Sequence, residues 1–205
     1  MKSGESASKF ALLGVLSLKP ASGYDIKQFV QGSIGHFWSE SYGRIYPLLK
    51  ELADEGLIVQ QRGTKASGRS ERQVYAITVA GEMALRQWLE HSPRNESPRS
   101  ELLLKLFFCD HVAPEASAQH VREKKQLEEK HIAIYEQTAR HIQQRYPAHP
   151  GLPYWLMTLN FGRHRSQALV AWCDETLATL SQLEKKQAKE KTKAKTKAKT
   201  KRGTV

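Results

Sequence analysis

The fold is decided by residues 39–56, which have the sequence SESYGRIYPLLKELADEG. Apolar residues recur there at intervals of three and four, the spacing that lines one face of a helix: Ile45, Leu48, Leu49 and Leu52. Gly56 follows them, where helices commonly end in a left-handed residue. Pro47 removes a backbone donor from the pattern, but the residue four positions earlier is the permissive Gly43, so a kinked helix is tolerated. The stretch therefore predicts one amphipathic helix.

The outward side of this helix carries residue types that bind DNA. Arg44 is able either to pair with a guanine through two hydrogen bonds or to hold a phosphate, and both alternatives stay open. Ser41, Tyr42 and Tyr46 offer hydroxyl groups to phosphates, and Lys50 adds a positive charge. Tyr46 has packing inward as its alternative. A merely solvated face rarely collects two tyrosines beside an arginine, so we favour a helix that enters the major groove.

Two predicted helices precede this one. The first covers the apolar residues 10–16, and a turn at residues 20–22 leads to the second. Ser22 and Asp25 have the spacing of a capping box at the start of that second helix. Tyr24, in its first turn, is a candidate phosphate contact, with a place in the core as the equally weighted alternative.

A β-hairpin is predicted after Gly56. Residues 57–62 are rich in β-branched side chains, and residues 73–77 alternate in the manner of a returning strand. The connection contains two glycines and the cations Lys65 and Arg69, with Arg72 just beyond it. These three cations are candidates for minor-groove or phosphate contacts, and a loop kept soluble by its charge is the alternative. Thr78 is positioned to cap a further helix, whose apolar stripe is expected to be Met83, Ala84, Leu85, Trp88 and Leu89.

The second half of the chain predicts helices that need a partner. A boundary is expected in the proline-containing residues 91–99, and the apolar residues 102–108 predict a short helix buried on most sides. Long helices are predicted at about 114–146 and after a turn at 146–153. Their apolar stripes are too thin for two antiparallel helices to bury themselves, so a second copy of the chain is the expected partner.

The net charge is concentrated at the C-terminus. The whole chain has a formal charge of +11, but residues 187–205 hold eight Lys or Arg and one Glu, which is +7 and leaves +4 elsewhere. This Lys-rich tail is predicted to be disordered. Its role has two open alternatives, which are nonspecific attraction to DNA and a solubilising appendage.

Enzymatic and metal chemistry is not indicated. The histidines of the first long helix lie ten or eleven residues apart, which is not a ligand spacing, and no phosphate-binding glycine loop or nucleophile motif occurs. We expect no catalytic residue, cofactor or metal. Cys109 and Cys173 are expected to be reduced core thiols. No membrane-spanning or secretion pattern is recognised, so a cytoplasmic, nucleoid-associated protein is expected.

Four segments resemble the PadR family of bacterial regulators: LLGVL at 12–16, SGYDIK at 22–27, YGRIYPLLK at 42–50 and YAITVAG at 75–81. The resemblance covers residues 10–110 closely and the C-terminal helices more loosely. It implies a homodimeric transcription factor, usually a repressor, whose C-terminal helices form the dimer and which senses small aromatic or drug-like molecules. Arg44 and the Lys-rich tail depart from the family pattern, so neither base preference nor a tail function is transferred.

The resulting prediction is a mainly α protein with a small β-hairpin. It has a winged helix-turn-helix DNA-binding domain at 1–92, a C-terminal antiparallel helical dimerisation domain at 93–186 and a disordered tail at 187–205. The expected ligand is a pseudo-palindromic operator, released by a small aromatic effector. Trp155, Phe161 and Trp172 are the candidate effector residues, although such stripes are more often packing. The alternative is a winged helix for protein or RNA contact, with the basic tail binding nucleic acid.

Overall fold

A computed structural model describes residues 7–35, 37–38, 42–61, 73–93 and 99–202, except for the side chains of residues 42 and 191–202. The chain divides into two compact units, Met1–Glu96 and Ser97–Val205. The division lies close to the boundary predicted after residue 92.

The first unit is a helical domain with a small antiparallel sheet. Its elements in the described residues are α1 Ala7–Leu18, β1 Ala21–Ser22, α2 Gly23–Gly32, α3 Tyr42–Asp54, β2 Ile58–Gln61, β3 Val74–Ile77 and α4 Val79–Glu90. The predicted hairpin is confirmed, with Ile58 opposite Ile77. The strand order is β1-β3-β2, because Ala21 also pairs with Tyr75 on the other edge of β3. The prediction of a simple turn at 20–22 was therefore wrong, since two residues are too few to show a strand period.

The core of this unit lies between α1, α2, α3 and the sheet. Leu12, Leu13 and Leu49 are completely buried, and the ring of Phe10 stacks on Trp88 of α4 at a centroid distance of 4.8 Å. The apolar stripe predicted on α4 is only partly correct. Leu85 and Trp88 pack against the core, whereas Met83 and Leu89 are each 66% exposed.

The second unit is dominated by two long helices. Its elements are α5 Glu101–Phe107, a short 3-10 helix Cys109–His111, α6 Pro114–Arg145 and α7 Leu152–Arg202. α6 and α7 form an antiparallel hairpin whose core includes the fully buried Val121 and Cys173. Gly162 of α7 lies directly under the ring of Tyr135, and a Cβ at Gly162 would come within 2.9 Å of that ring. The small residue thus lets the two helices approach closely.

Two expectations for this unit were wrong. α5 has no fully buried residue. Leu106 packs against the α6–α7 core, but Phe107 is 80% exposed, because α5 contacts the rest of the chain on one side only. α7 continues to Arg202, where disorder had been predicted from residue 187. Lys and Ala are strong helix formers, and neither Gly nor Pro interrupts residues 187–202, so no helix-breaking residue ends α7 before Arg202.

Both cysteines are free, with Cys173 buried and Cys109 partly exposed. Among the described residues, no helix is long and apolar enough to cross a membrane. Within those same residues, no group of His, Cys, Asp and Glu side chains is arranged to hold a metal ion.

Candidate DNA-binding surface

The start of α2 is set by the predicted capping box. The Asp25 backbone N–H donates to the Ser22 hydroxyl oxygen at 3.3 Å. In return, the Ser22 backbone N–H donates to the Asp25 carboxylate at 3.1 Å, and the Ser22 hydroxyl donates to the same oxygen at 2.6 Å. Backbone donors that the first helical turn leaves unpaired are thereby satisfied. The entry of α2 is therefore determined by local chemistry.

The end of α3 is set by Gly56, which has a φ of 71°. Its N–H donates to the Ala53 carbonyl at 3.0 Å, and the Leu57 N–H donates to the Leu52 carbonyl at 2.9 Å. These two bonds are the pair found in a Schellman motif. The Thr78 hydroxyl donates to the Gly56 carbonyl at 2.8 Å and ties this helix end to the start of α4. The predicted role of Gly56 is confirmed.

A cation holds α3 against α1. Lys9 is 8% exposed, and its ammonium group lies 2.8 Å from the Glu51 carboxylate and 2.6 Å from that of Glu55. Burial alone would lower the pKa of Lys9, but its bonds to the two carboxylates outweigh burial and raise it. Glu51 lies in the last turn of α3, and Glu55 directly follows the helix. The contact therefore fixes the C-terminal end of α3 and does not involve its N-terminal half.

The two sides of α3 differ as the sequence predicted. Ile45 is 1% exposed and Leu52 is fully buried, whereas Arg44 and Lys50 are exposed. Pro47 lies within the helix without ending it. Tyr46 and Lys50 are one helical turn apart, and residues four apart are neighbours on a helix surface. The exposed side of α3 thus presents a guanidinium, a phenol and an ammonium group.

Tyr46 also connects α3 to α2. Its ring lies over Gly23, the first residue of α2, so that a Cβ at this position would meet ring atoms at 2.9 Å. The side chain is nevertheless 45% exposed. It therefore packs on a neighbouring helix and still has accessible surface, so its contact with phosphate stays a prediction.

Of the remaining candidate DNA contacts, the structure describes the side chain of Tyr24 but not the others. Tyr24 is 46% exposed in the first turn of α2, which is not the environment of a core residue. Ser41 and the wing cations Lys65, Arg69 and Arg72 lie outside the described residues, as does the side chain of Tyr42.

The three candidate effector residues are not brought together. Trp155 stacks on His149 at a centroid distance of 4.5 Å, and Trp172 packs against the α6–α7 core. Phe161 is 64% exposed. Trp155 and Trp172 are seventeen positions apart on one helix, which is about 25 Å along its axis. A single chain therefore does not form one pocket from these residues.

A groove that the sequence did not reveal lies between α6 and α7, with a volume of about 390 Å³. Its lining includes Tyr135, Arg140, Leu159, Asn160 and Arg163. Arg163 donates to the Asn160 side-chain oxygen at 2.9 Å. These residues come from two helices and share no sequence period, so only their antiparallel pairing brings them together.

Both units match families of known proteins. The model of the PadR-like family of transcriptional regulators matches residues 12–87, and that of the virulence activator alpha C-terminal domain matches residues 98–181. The negative transcriptional regulator PadR of Bacillus subtilis is 28% identical over 179 residues, which are 85% of this chain and 97% of that protein.

Solved structures agree with these matches. B. subtilis PadR in complex with operator DNA is 26% identical with a TM-score of 0.74, covering 85% of this chain and 99% of that chain. The same protein in complex with p-coumaric acid is 25% identical with a TM-score of 0.67, over 86% and 99%. The Vibrio cholerae virulence activator AphA is 29% identical with a TM-score of 0.63, over 85% and 98%.

The fold and these matches thus define a winged-helix, DNA-binding transcriptional regulator, a class of transcription factors and not of enzymes. The chain belongs to the PadR family. The resemblance found in residues 12–81 is confirmed.

Proposed function

We propose that this chain is a cytoplasmic, nucleoid-associated repressor that binds a pseudo-palindromic operator as a homodimer. The observation that carries the proposal is the two-sided character of α3. Its buried stripe packs in the core, while Arg44, Tyr46 and Lys50 are accessible on the other side. In a two-fold dimer, two such helices enter successive major grooves, with half-sites about 10 base pairs apart. Repression follows when the bound dimer occludes a promoter.

Exposed apolar surface supports the dimer. Large apolar side chains of the second unit are accessible in the single chain: Leu103, Leu104, Phe107, Tyr154, Met157 and Phe161. Three of them lie on α5 and three in the first three turns of α7, and apolar surface grouped in this way marks an interaction site. A second copy would bury it through the same helices on both subunits, as a two-fold interface requires.

The test of operator recognition is a band-shift assay on DNA fragments selected from the genome by the purified protein. Arg44→Ala is expected to lose about tenfold or more in affinity for the selected fragment, because a bidentate base contact contributes about 1–3 kcal/mol. Arg86→Ala on α4 removes the same exposed charge outside the proposed surface and is the control. Full affinity and selectivity in Arg44→Ala would refute the role of α3, and selective binding of RNA instead of DNA would support the alternative function.

We further propose that a small aromatic acid releases the DNA. The complex of B. subtilis PadR with p-coumaric acid supports this class of ligand. Trp155, Phe161 and Trp172 remain candidates on α7. The α6–α7 groove adds Arg140 and Arg163, two cations against the single carboxylate of Glu136, which suits an anionic ligand. A coupling free energy of about 1–3 kcal/mol between effector and operator would be enough.

Effector binding is tested by adding p-coumaric acid and related phenolic acids to the DNA complex. Release of DNA at a concentration that depends on Arg163 supports the groove, and Arg165→Gln, an exposed neighbour on the same helix, is the control for Arg163→Gln. Release that depends instead on Trp155 or Phe161 would assign the site to the aromatic residues. If none of the acids changes DNA affinity, this effector class is excluded.

A further inference from the structure

The C-terminal part of α7 extends past the helical hairpin. Leu180 is the last buried residue in the described part of α7, and Glu184 bonds to Glu115 in the first turn of α6. Residues 185–190 are all exposed, which covers more than one complete turn of helix. Over these residues, α7 therefore has no side buried against α6. Its backbone continues as a helix to Arg202.

This extension holds most of the net charge of the protein. Residues 185–202 contain nine Lys, one Arg and one Glu, a net charge of +9 out of +11 for the chain, which leaves +2 for the remainder. Lys occupies every second position from 189 to 201. Since successive helix positions are about 100° apart, positions two apart are distributed around the whole circumference. The eighteen residues form a rod about 27 Å long that is cationic at positions on all sides.

The extension lies beyond the region shared with the relatives. The C-terminal family model ends at residue 181. The B. subtilis regulator is matched over 97% of its length, yet this match occupies only 85% of the present chain. The shared fold and operator-binding unit therefore do not account for the extension.

We propose that residues 185–202 are a second, sequence-independent DNA contact that binds the phosphates of double-stranded DNA. Duplex DNA presents about one negative charge per 1.7 Å of axis, and neutralising them releases condensed counterions. The extension offers a net positive charge about every 3 Å along its helix axis. This contact adds affinity for DNA and does not depend on which base α3 reads. The proposal rests only on the chain being a DNA-binding protein.

The composition of the extension favours duplex DNA over other polyanions. It contains no aromatic residue, whereas proteins that hold single-stranded nucleic acid use aromatic side chains to stack bases. Its apolar content is limited to Ala, so it lacks the large apolar face with which amphipathic helices enter a membrane surface. What remains is dense, evenly spaced positive charge, which suits backbone phosphates read without sequence preference.

Binding should also strengthen the helix. Positions four apart carry Lys in five pairs between 189 and 201, and like charges at this spacing destabilise a helix. Neutralisation by phosphates removes this repulsion. We therefore expect circular dichroism to show a gain of helix when duplex DNA is added, and no gain in a variant that lacks the charges.

The experiment uses the full-length chain with all seven Lys from 189 to 201 replaced by Gln, and a matched variant with the same seven replaced by Arg. Gln and Arg both have helix propensities near that of Lys, so the backbone preference is kept while the charge is removed or retained. Affinity for a random duplex of about 30 base pairs is measured by fluorescence anisotropy between about 50 and 200 mM KCl.

The Gln variant is expected to bind the random duplex at least tenfold more weakly at the lowest salt. The slope of log affinity against log salt should become shallower by about 0.9 for each phosphate that the extension no longer neutralises, or by about 3 for three or four phosphates. The Arg variant should keep both the affinity and the slope. Unchanged affinity and slope in the Gln variant would overturn the proposal, as would an equally weak affinity in the Arg variant.

Two further arms separate this proposal from its alternatives. Tighter, Lys-dependent binding of a single-stranded RNA of equal length, or of vesicles containing phosphatidylserine, would overturn the assignment to duplex DNA.

The ratio of operator to random-duplex affinity should be unchanged in the Gln variant, whereas Arg44→Ala lowers it if α3 reads the operator. A protein without operator selectivity that still shows the Lys-dependent salt slope would refute the proposed repressor function while supporting this contact.

Discussion

The Ser166 hydroxyl of α7 donates a hydrogen bond of 2.5 Å to the Glu128 carboxylate of α6, and both residues are only 2% exposed. The other carboxylate oxygen lies 2.6 Å from the Lys124 ammonium group, and His131 Nδ1 lies 3.5 Å from the oxygen that Ser166 bonds. A buried carboxylate is costly without such partners. This cluster therefore favours the alignment of the two long helices that brings Glu128 opposite Ser166.

Removing the hydroxyl should destabilise the second unit. Ser166→Ala leaves one acceptor site of a buried carboxylate unpaired, which costs about 1–3 kcal/mol. The free energy of unfolding, measured by urea denaturation of the full chain, should fall by this amount. Thr179→Ala is the control, because this exposed hydroxyl bonds only to the Glu175 carbonyl of its own helix. Equal stability of Ser166→Ala and wild type would show that the buried bond contributes nothing net.

Acid should remove the contribution of Glu128 to the free energy of unfolding. Burial alone would raise the pKa of this carboxyl, but its bonds to Lys124 and Ser166 outweigh burial and lower it. A carboxyl whose pKa is lowered by folding stabilises the protein above its unfolded-state pKa. This contribution is lost as the pH falls through the lower folded-state pKa.

The measurement compares wild type with Glu128→Gln by urea denaturation at about pH 7 and about pH 3, on either side of the usual glutamate pKa. The stability difference between them should be largest near neutrality and shrink in acid. Glu129→Gln, an exposed neighbour, should show little difference at either pH. A difference that grows in acid would mean that Glu128 is protonated in the native state.

A methyl group at Gly23 should disturb DNA binding more than folding. The Cβ of Gly23→Ala would meet the Tyr46 ring at 2.9 Å, and this half-exposed ring is able to swing away at little cost. Displacing it changes the surface of α3, so we expect a loss of about tenfold in operator affinity, or about 1.4 kcal/mol. Gly32→Ala, at the other end of α2 with nothing within 4 Å, is the control and should bind normally. Normal operator binding by Gly23→Ala would remove Tyr46 from the interface.

A methyl group at Gly81 should instead destabilise the first unit. Its Cβ would lie 2.1 Å from the Leu57 carbonyl oxygen, a backbone atom that cannot move without shifting β2 or α4. Overpacking of this kind costs about 1–3 kcal/mol or more. Gly14→Ala, in α1 with open space around it, should be neutral or stabilising by up to about 1 kcal/mol. Thermal unfolding of the two variants measures the contrast, and equal melting temperatures would contradict it.

Local chemistry explains what was predictable in the first unit. The Ser22–Asp25 capping box and the left-handed Gly56 each depend on residues within a few positions, so their spacing in the sequence was sufficient evidence. The period of three and four in residues 45–52 likewise identified the buried and exposed sides of α3. Arg44 and Lys50 were identified as accessible for the same reason.

Contacts between distant residues explain what was missed. Ala21 became part of a strand because β3 had a free edge, and Tyr46 was placed by Gly23 of another helix. The exposure of Phe107 could not be predicted from the apolar run at 102–108. Such a run indicates that a helix packs against something, but not whether its partner is the same chain or another one. The Tyr135–Arg163 groove depends on the alignment of α6 with α7, to which no local pattern refers.

The sequence by itself thus determined the family, the order of the helices and of the β-hairpin, and the outward side of α3, because caps, turns and helical periods act over a few residues. Tertiary structure alone decided that Glu128 meets Ser166, that Tyr46 rests on Gly23 and that Arg140 shares a groove with Arg163. These outcomes depend on which surfaces pack against each other and in what alignment. That choice minimises exposed apolar area and unpaired buried polar groups over the whole unit at once, and so it is not encoded at any single stretch of the chain.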